Sequence, residues 1–169
     1  MEILIRKGRK EDTEAFIQLL QEVREEMEQK EWFYLDPPEF VREAMDKGTM
    51  QLWVAMDGEQ MAGAFDLLIP GLEEYNYGYD LGFSQEELLQ VVNMDTAAVH
   101  PKYRGLKLQH RLLSAAEEEI RSWGKRILLC TIHPENKYSL NNATALGYEV
   151  QSVLDMYGSV RCILRKDIL

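Results

Sequence analysis

Residues 95–113, DTAAVHPKYRGLKLQHRLL, decide how the chain reads. An apolar strand, Thr96 to Val99, passes through a turn led by Pro101 into a basic loop carrying Lys102, Arg104, Gly105 and Lys107. A helix is predicted to begin near Leu106. A strand that enters a helix through such a loop gathers unpaired backbone N–H groups, the positive end of the helix dipole and cationic side chains at one point. The stretch reads as an anion site.

Working outward, Leu108, Leu112, Leu113, Ala116 and Ile120 recur at a period near 3.6, and Trp123-Gly124 ends that helix. Arg126 to Ile132 is aliphatic at most positions, as in a strand buried on both faces. Val91 to Ile132 therefore reads strand, helix, strand, a crossover between two parallel strands. Upstream, Ile3 to Arg6 reads as a strand, with Asp12 or Thr13 as N-cap of a helix whose apolar face is Phe16, Leu19, Leu20, Val23 and Met27. A second helix follows Pro37-Pro38 and stops at Gly48. Gln51 to Met56 and Gln60 to Leu68 form a hairpin, with Asp57-Gly58 expected to hold φ > 0 at both central positions.

From Leu72 to Leu89 the chain is too polar for a central strand and too aromatic for a disordered linker, and reads as a covering loop or as a surface insertion packed on its own tyrosines. Within it Ser84 and Glu87 form a capping box for a short helix. After His133-Pro134 come a short helix from Ser139 to Leu146 and two final strands, Tyr148 to Tyr157 and Val160 to Arg165, turning at Gly158. With no repeat or linker, one domain over 1–169 is expected.

Composition bounds the function. The chain has 169 residues, 46% hydrophobic and 28% charged, enough for a core. Nineteen basic residues against 29 acidic give −10, which argues against nucleic acid as a partner because phosphate neutralisation needs a basic face. The balance suits a cationic substrate or solubility alone. Cys130 and Cys162 sit in apolar runs without metal-ligand spacing and read as reduced core residues, so no metal is expected. With no signal-like N-terminus and no stretch of 18 apolar residues, the protein is expected to be cytoplasmic, with no membrane partner.

The element order, with AVHPKYRG entering the long helix and NKYSLNNATALGYE near the end, resembles the GNAT N-acetyltransferase superfamily over nearly the whole chain, including IRKGRKEDTEAF and MDGEQMAGAF. That resemblance implies an α/β fold with a mixed, mostly antiparallel sheet of six to seven strands, about four helices and a splayed parallel strand pair at the cofactor site. It implies acetyl-CoA as co-substrate. The family's pyrophosphate loop places its Arg on Arg104 and its two small positions on Lys107 and Gln109, both departures, while Arg104-Gly105 is intact. Binding through the N–H groups of Gly105, Leu106, Lys107, Leu108 and Gln109 survives those departures, and Lys107 adds a cation if its backbone stays helical or extended. Ala97, Ala98 and Val99 are implied to pair with the pantetheine arm. Asn136 and Ser139 match the last cofactor-contacting segment, although Asn136 also fits a helix N-cap.

The residue at the family's usual acidic tyrosine is Ala143, which leaves Tyr138 as a candidate acid on another helical face. Direct aminolysis needs little acid, because a thiolate leaves with a pKa of about 8.5. Asp95 lies on the strand face of Ala97 and Val99, and as a carboxylate in an apolar strand it is the candidate base. Its other reading is a carboxylate paired with an Arg or with backbone amides. Trp32, Phe33, Tyr77 and Tyr79 fall where relatives build the acceptor pocket, and with Glu73, Glu74 and Asp80 they suit a cation with an apolar body. They also fit core packing. His100 reads as a turn residue, and His110 and His133 as surface or structural. Three functions remain open at this point: an acetyltransferase acting on a primary amine of a small molecule or peptide, with a homodimer as one assembly; a CoA-binding sensor or interaction domain without turnover; and a phosphate-binding protein unrelated to CoA.

Overall fold

A computed structural model describes residues 2–168; Met1 and Leu169, the ends of the expected 1–169 domain, lie outside the described residues. In chain order the elements are β1 (Leu4–Lys7), α1 (Thr13–Glu26), α2 (Pro38–Lys47), β2 (Met50–Asp57), β3 (Gln60–Leu68), α3 (Gln85–Leu88), β4 (Val91–Val99), α4 (Leu108–Arg121), β5 (Ile127–Ile132), α5 (Lys137–Ala145), β6 (Glu149–Met156) and β7 (Ser159–Asp167). The seven strands form one sheet in the order β1-β2-β3-β4-β5-β7-β6. As expected, β4 and β5 are parallel, with Val91 opposite Ile127 and Asn93 opposite Leu129. The pairs β1–β2, β5–β7 and β6–β7 are antiparallel.

The chain forms two compact units. The first comprises residues up to Leu67 together with Thr96–Glu119; the second comprises Leu68–Asp95 together with residues from Ile120 onward.

In the first unit, α1 buries Phe16, Ile17, Leu19, Leu20 and Val23, the face that the three-and-four spacing marks out. Phe16 is 0% exposed, and truncating it to alanine costs about 3–5 kcal/mol. Asp12 precedes α1 but does not cap it. Its carboxylate instead accepts the Arg9 N–H at 2.7 Å and a two-pronged contact from Arg6 at 2.8 and 3.0 Å. The Arg6 guanidinium holds the Asp12 carboxyl below its ordinary pKa. Stability from this pair is therefore present above the unfolded pKa of about 4 and lost as pH falls through the folded value. Pro38 opens α2, and Gly48 at φ 77° closes it. The hairpin turn differs from expectation. Of Asp57 and Gly58 only Gly58 is left-handed (φ 60°), because β2 runs through Asp57 and the two-residue turn is Gly58-Glu59. A glycine alone in the first central position is the requirement of a type II′ turn.

In the second unit the segment from 72 to 89 is pinned by two asparagines. The Asn76 amide, 0% exposed, donates to the carbonyls of Gly71 (2.8 Å) and Leu88 (3.0 Å), and its oxygen accepts the Gly78 N–H at 2.8 Å. Asn93 on β4 donates to the Tyr75 carbonyl at 2.9 Å and accepts the Tyr77 N–H at 3.4 Å. Tyr77 packs on Val91, Ile127 and Leu129, so the segment covers the start of the parallel pair. The Ser84–Glu87 capping box forms as expected. Between β6 and β7 the turn residues Tyr157 (φ 58°) and Gly158 (φ 75°) are both left-handed, the pattern of a type I′ turn.

Candidate functional site

In the first unit, the loop after β4 is fixed at both ends. The His100 N–H donates to the Ala62 carbonyl at 2.8 Å, and His100 Nδ1 accepts the Lys102 N–H at 3.1 Å, which makes His100 a turn residue. Tyr103 is 1% exposed and donates its hydroxyl to Asp57 at 2.6 Å, with Gln60 3.0 Å away, so the base of the loop is anchored to the two residues that flank the β2–β3 turn. The Asp57 carboxylate pushes the Tyr103 phenol above its ordinary pKa. Sequence reasoning missed Tyr103, since its partners lie more than 40 positions away, a separation that no local pattern reports.

Beyond this anchor, Arg104, Gly105, Leu106 and Lys107 are exposed, and α4 starts at Leu108, two residues later than expected. The Lys107 carbonyl accepts the Arg111 N–H at 3.0 Å, so Lys107 occupies the N-cap position. The first N–H groups of α4 follow directly and have no partner within the helix. Lys107 is neither helical nor extended, so the condition under which its side chain adds a cation is not met: its φ is 57°, after Gly105 at 87°. Left-handed backbone at a lysine costs roughly 1–2 kcal/mol, and alternation of this kind turns successive N–H groups into a concave anion nest. Lys107 thus holds the conformation for which glycine is the easy residue. Three dispositions meet here, a nest, a helix N-terminus and the Arg104 cation, and together they can hold a doubly charged phosphate ester.

The second unit builds a different cluster. Asp95, at the half-buried end of its part of β4, accepts the Tyr77 hydroxyl at 3.5 Å, and Tyr77 accepts the Tyr157 hydroxyl at 3.1 Å. Arg161 on β7 is 6% exposed and donates from Nε to the Thr131 hydroxyl at 3.0 Å and from a terminal nitrogen to the Thr131 carbonyl at 2.9 Å. Burial pulls the Arg161 guanidinium below its ordinary pKa, and Tyr77, Tyr157, Cys130 and Asp95 push the other way. Burial also pushes the Cys130 thiol up to about 12. Tyr157 and Arg161 were not singled out by sequence, because strand register rather than spacing brings them to Asp95.

Compared with known families, residues 13–148 match the acetyltransferase (GNAT) family. The chain belongs to the GNAT acetyltransferase family. Comparison with curated proteins finds no match. Among solved structures the chain is similar to Arabidopsis thaliana NAA60 in complex with acetyl-CoA (TM-score 0.75, 15% identity, 99% of each chain covered). It is similar to a ribosomal-protein-alanine N-acetyltransferase from Brucella melitensis (TM-score 0.72, 18% identity, 98% of this chain and 99% of that one). It is also similar to the PaiA N-acetyltransferase from Thermoplasma acidophilum in complex with coenzyme A (TM-score 0.63, 19% identity, 99% and 100% covered). These likenesses establish the GNAT fold.

The remaining candidates are placed as follows. Ala97 and Val99 are half-buried and Ala98 is buried, next to the loop on β4. Asn136 caps α5, accepting the Ser139 N–H at 3.3 Å, which is its helix-capping alternative realised. Ala143 is buried, and Tyr138 is 74% exposed. Trp32 and Phe33 are half-buried residues of the first unit. In the second unit Tyr79 is 46% exposed, with its hydroxyl donated to the Leu72 carbonyl at 2.6 Å. Tyr77 is only 5% exposed, a core residue whose hydroxyl turns to Asp95. His133 is buried, and its Nδ1 accepts the Glu135 N–H at 3.1 Å, while His110 is exposed on α4. Both cysteines are free thiols. Among the described residues no helix is long and apolar enough to cross a membrane.

Proposed function

We propose that this GNAT protein moves an acetyl group from acetyl-CoA directly to a primary amine of a small molecule or peptide. The observation that carries the reading is the left-handed backbone of Lys107 (φ 57°) ahead of α4, which keeps a phosphate nest where the family pattern would supply glycine. The residues fit the cofactor. Arg104 and the N–H groups of Gly105, Leu106, Lys107, Leu108 and Gln109 would hold the pyrophosphate, and the backbone of Ala97, Ala98 and Val99 would pair with the pantetheine arm. Asn136 and Ser139 are further contacts on family resemblance; the Asn136 oxygen already serves α5.

Acetyl-CoA, when bound, supplies an activated thioester. Asp95, on the same strand face as Ala97 and Val99, accepts the proton that the amine gives up as its nitrogen bonds to the acetyl carbon and the carbon–sulfur bond breaks. Because a thiolate would be the leaving group, a strong acid is dispensable, and Tyr138 is the remaining candidate to protonate it. A two-step route through an acetyl-cysteine is disfavoured. The Cys130 thiol, pushed up to about 12, is un-ionised near neutral pH and therefore a poor nucleophile. On family resemblance Trp32, Phe33, Tyr77 and Tyr79 are the acceptor-binding candidates, and aromatics of this kind fit a cation with an apolar body.

The location we assign is the cytoplasm. The assembly is a homodimer through the outer strand β6, where Val150 is 51% exposed and Val153 56%; sedimentation of the full chain as a monomer at micromolar concentration would remove the dimer. Ala143 and the exposed Tyr138 favour the second reading, a CoA-binding sensor without turnover.

Release of free thiol from acetyl-CoA across a panel of primary amines, covering a polyamine, an amino sugar and peptides with free lysine or N-terminal amines, separates the two. Amine-dependent release is expected; acetyl-CoA binding with no release from any amine supports the sensor. Asp95→Asn is expected to lower turnover by about a hundredfold or more while acetyl-CoA affinity stays unchanged.

A further inference from the structure

Tyr157 occupies a position that a tyrosine does not favour. The two-residue type I′ turn between β6 and β7 takes positive φ at both places, where asparagine and glycine are at ease, and Tyr157 holds φ 58°. An outlier of this kind asks what the side chain does in return. The Tyr157 hydroxyl donates to the Tyr77 hydroxyl at 3.1 Å, and the Tyr77 hydroxyl donates to Asp95 at 3.5 Å. Tyr77 is 5% exposed, whereas Tyr157 is 42% exposed, so the chain of hydroxyls runs from a half-buried carboxylate through a buried phenol to the surface. We propose that Tyr77 and Tyr157 are positioning residues for Asp95, which orient its carboxylate and relay the proton it accepts to solvent. The inference rests on Asp95 as the base.

Tyr77 comes from the covering segment and is fixed through its backbone by Asn93, two residues before Asp95 on the same face of β4. Tyr157 comes from the β6–β7 turn. Arg161 on β7 is a charged group that interacts with both phenols and the carboxylate, and Cys130 on β5 is a neutral neighbour. In the resting state both hydroxyls point toward Asp95 and stabilise its ionised form. Once Asp95 holds a proton the hydroxyls reverse. Asp95 then gives its proton to the Tyr77 oxygen, Tyr77 gives its own to the Tyr157 oxygen, and Tyr157 releases one to water. Each phenol ends with one proton, and Asp95 is a carboxylate again. At 3.5 Å the inner contact is at the outer limit of a hydrogen bond, as contacts in a resting site often are before they tighten.

The test is a pH titration of ¹³C-labelled aspartate carboxyls by NMR in the full-length protein without any acceptor, with the Asp95 resonance assigned from Asp95→Asn. Tyr77→Phe removes the donor and keeps the ring. The Asp95 pKa is expected to rise in Tyr77→Phe and to rise less in Tyr157→Phe. Because the base must be ionised, the acid limb of kcat/KM for an active amine moves to higher pH in the same order. The kcat is expected to fall about tenfold in Tyr77→Phe and about threefold in Tyr157→Phe, with KM for acetyl-CoA unchanged. Asp95 curves that superimpose on the wild type in both variants overturn the proposal. Should Tyr77→Phe fail to fold, Tyr157→Phe, altered at an exposed turn, decides alone. The titration needs no substrate, so a protein that acetylates none of the amines tested contradicts the proposed function without touching this result.

Discussion

Among the described residues, two that are not glycine hold left-handed backbone: Lys107 in the loop before α4 (φ 57°) and Tyr157 in the turn between β6 and β7 (φ 58°). Each forfeits roughly 1–2 kcal/mol for that conformation. They differ in what the conformation serves. The Lys107 side chain is exposed, while its backbone leads a row of N–H groups into a helix. At Tyr157 the backbone only makes a turn that asparagine would make more easily, and the hydroxyl reaches Tyr77 and through it Asp95. A positive φ outside glycine therefore asks what offsets its cost, and its neighbours tell whether that is the main chain or the side chain.

Substitutions at the two positions pull these roles apart. The largest effect is expected from Lys107→Val. A β-branched residue resists this backbone, so the nest opens and coenzyme A binding measured by calorimetry weakens at least tenfold, about 1.4 kcal/mol. Next comes Tyr157→Asn, which gives the turn its preferred residue and removes the hydroxyl. Turnover is expected to fall about fivefold while the melting temperature holds or rises, a combination that a packing role for the ring does not produce. The smallest is Lys107→Gly. The strain relieved and the freedom glycine gains when unfolded nearly cancel, and the lost cation is exposed, so the dissociation constant for coenzyme A shifts by less than about threefold. A loss in Lys107→Gly as large as in Lys107→Val would assign the binding to the lysine charge and not to the main chain.

Much of the framework was legible because its signals are local. The Ser84–Glu87 box, the stop at Gly48 and the strand from Val91 to Val99 each rest on a few adjacent residues, and each formed as read. The order of strand, basic loop and helix was legible for the same reason. The loop backbone was not, since lysine carries no preference for left-handed φ and only the folded loop imposes it. The hairpin was found but its turn was shifted by one residue, because Asp-Gly states that a turn is near without fixing which residue closes the strand. The surroundings of Asp95 were the least legible. Tyr77 reads in the sequence as an acceptor-pocket aromatic and not as its partner, and Tyr157 lies 80 positions from Tyr77. Only the pairing of β5 with β7 brings Arg161 to Thr131.

The central claim is that main-chain N–H groups of the loop hold the cofactor phosphates. The most direct measurement follows the backbone amides of ¹⁵N-labelled protein as coenzyme A is added. The amides of residues 105 to 109 are predicted to move together and to saturate with a single dissociation constant. Coenzyme A that binds while those five amides stay in place would contradict the account.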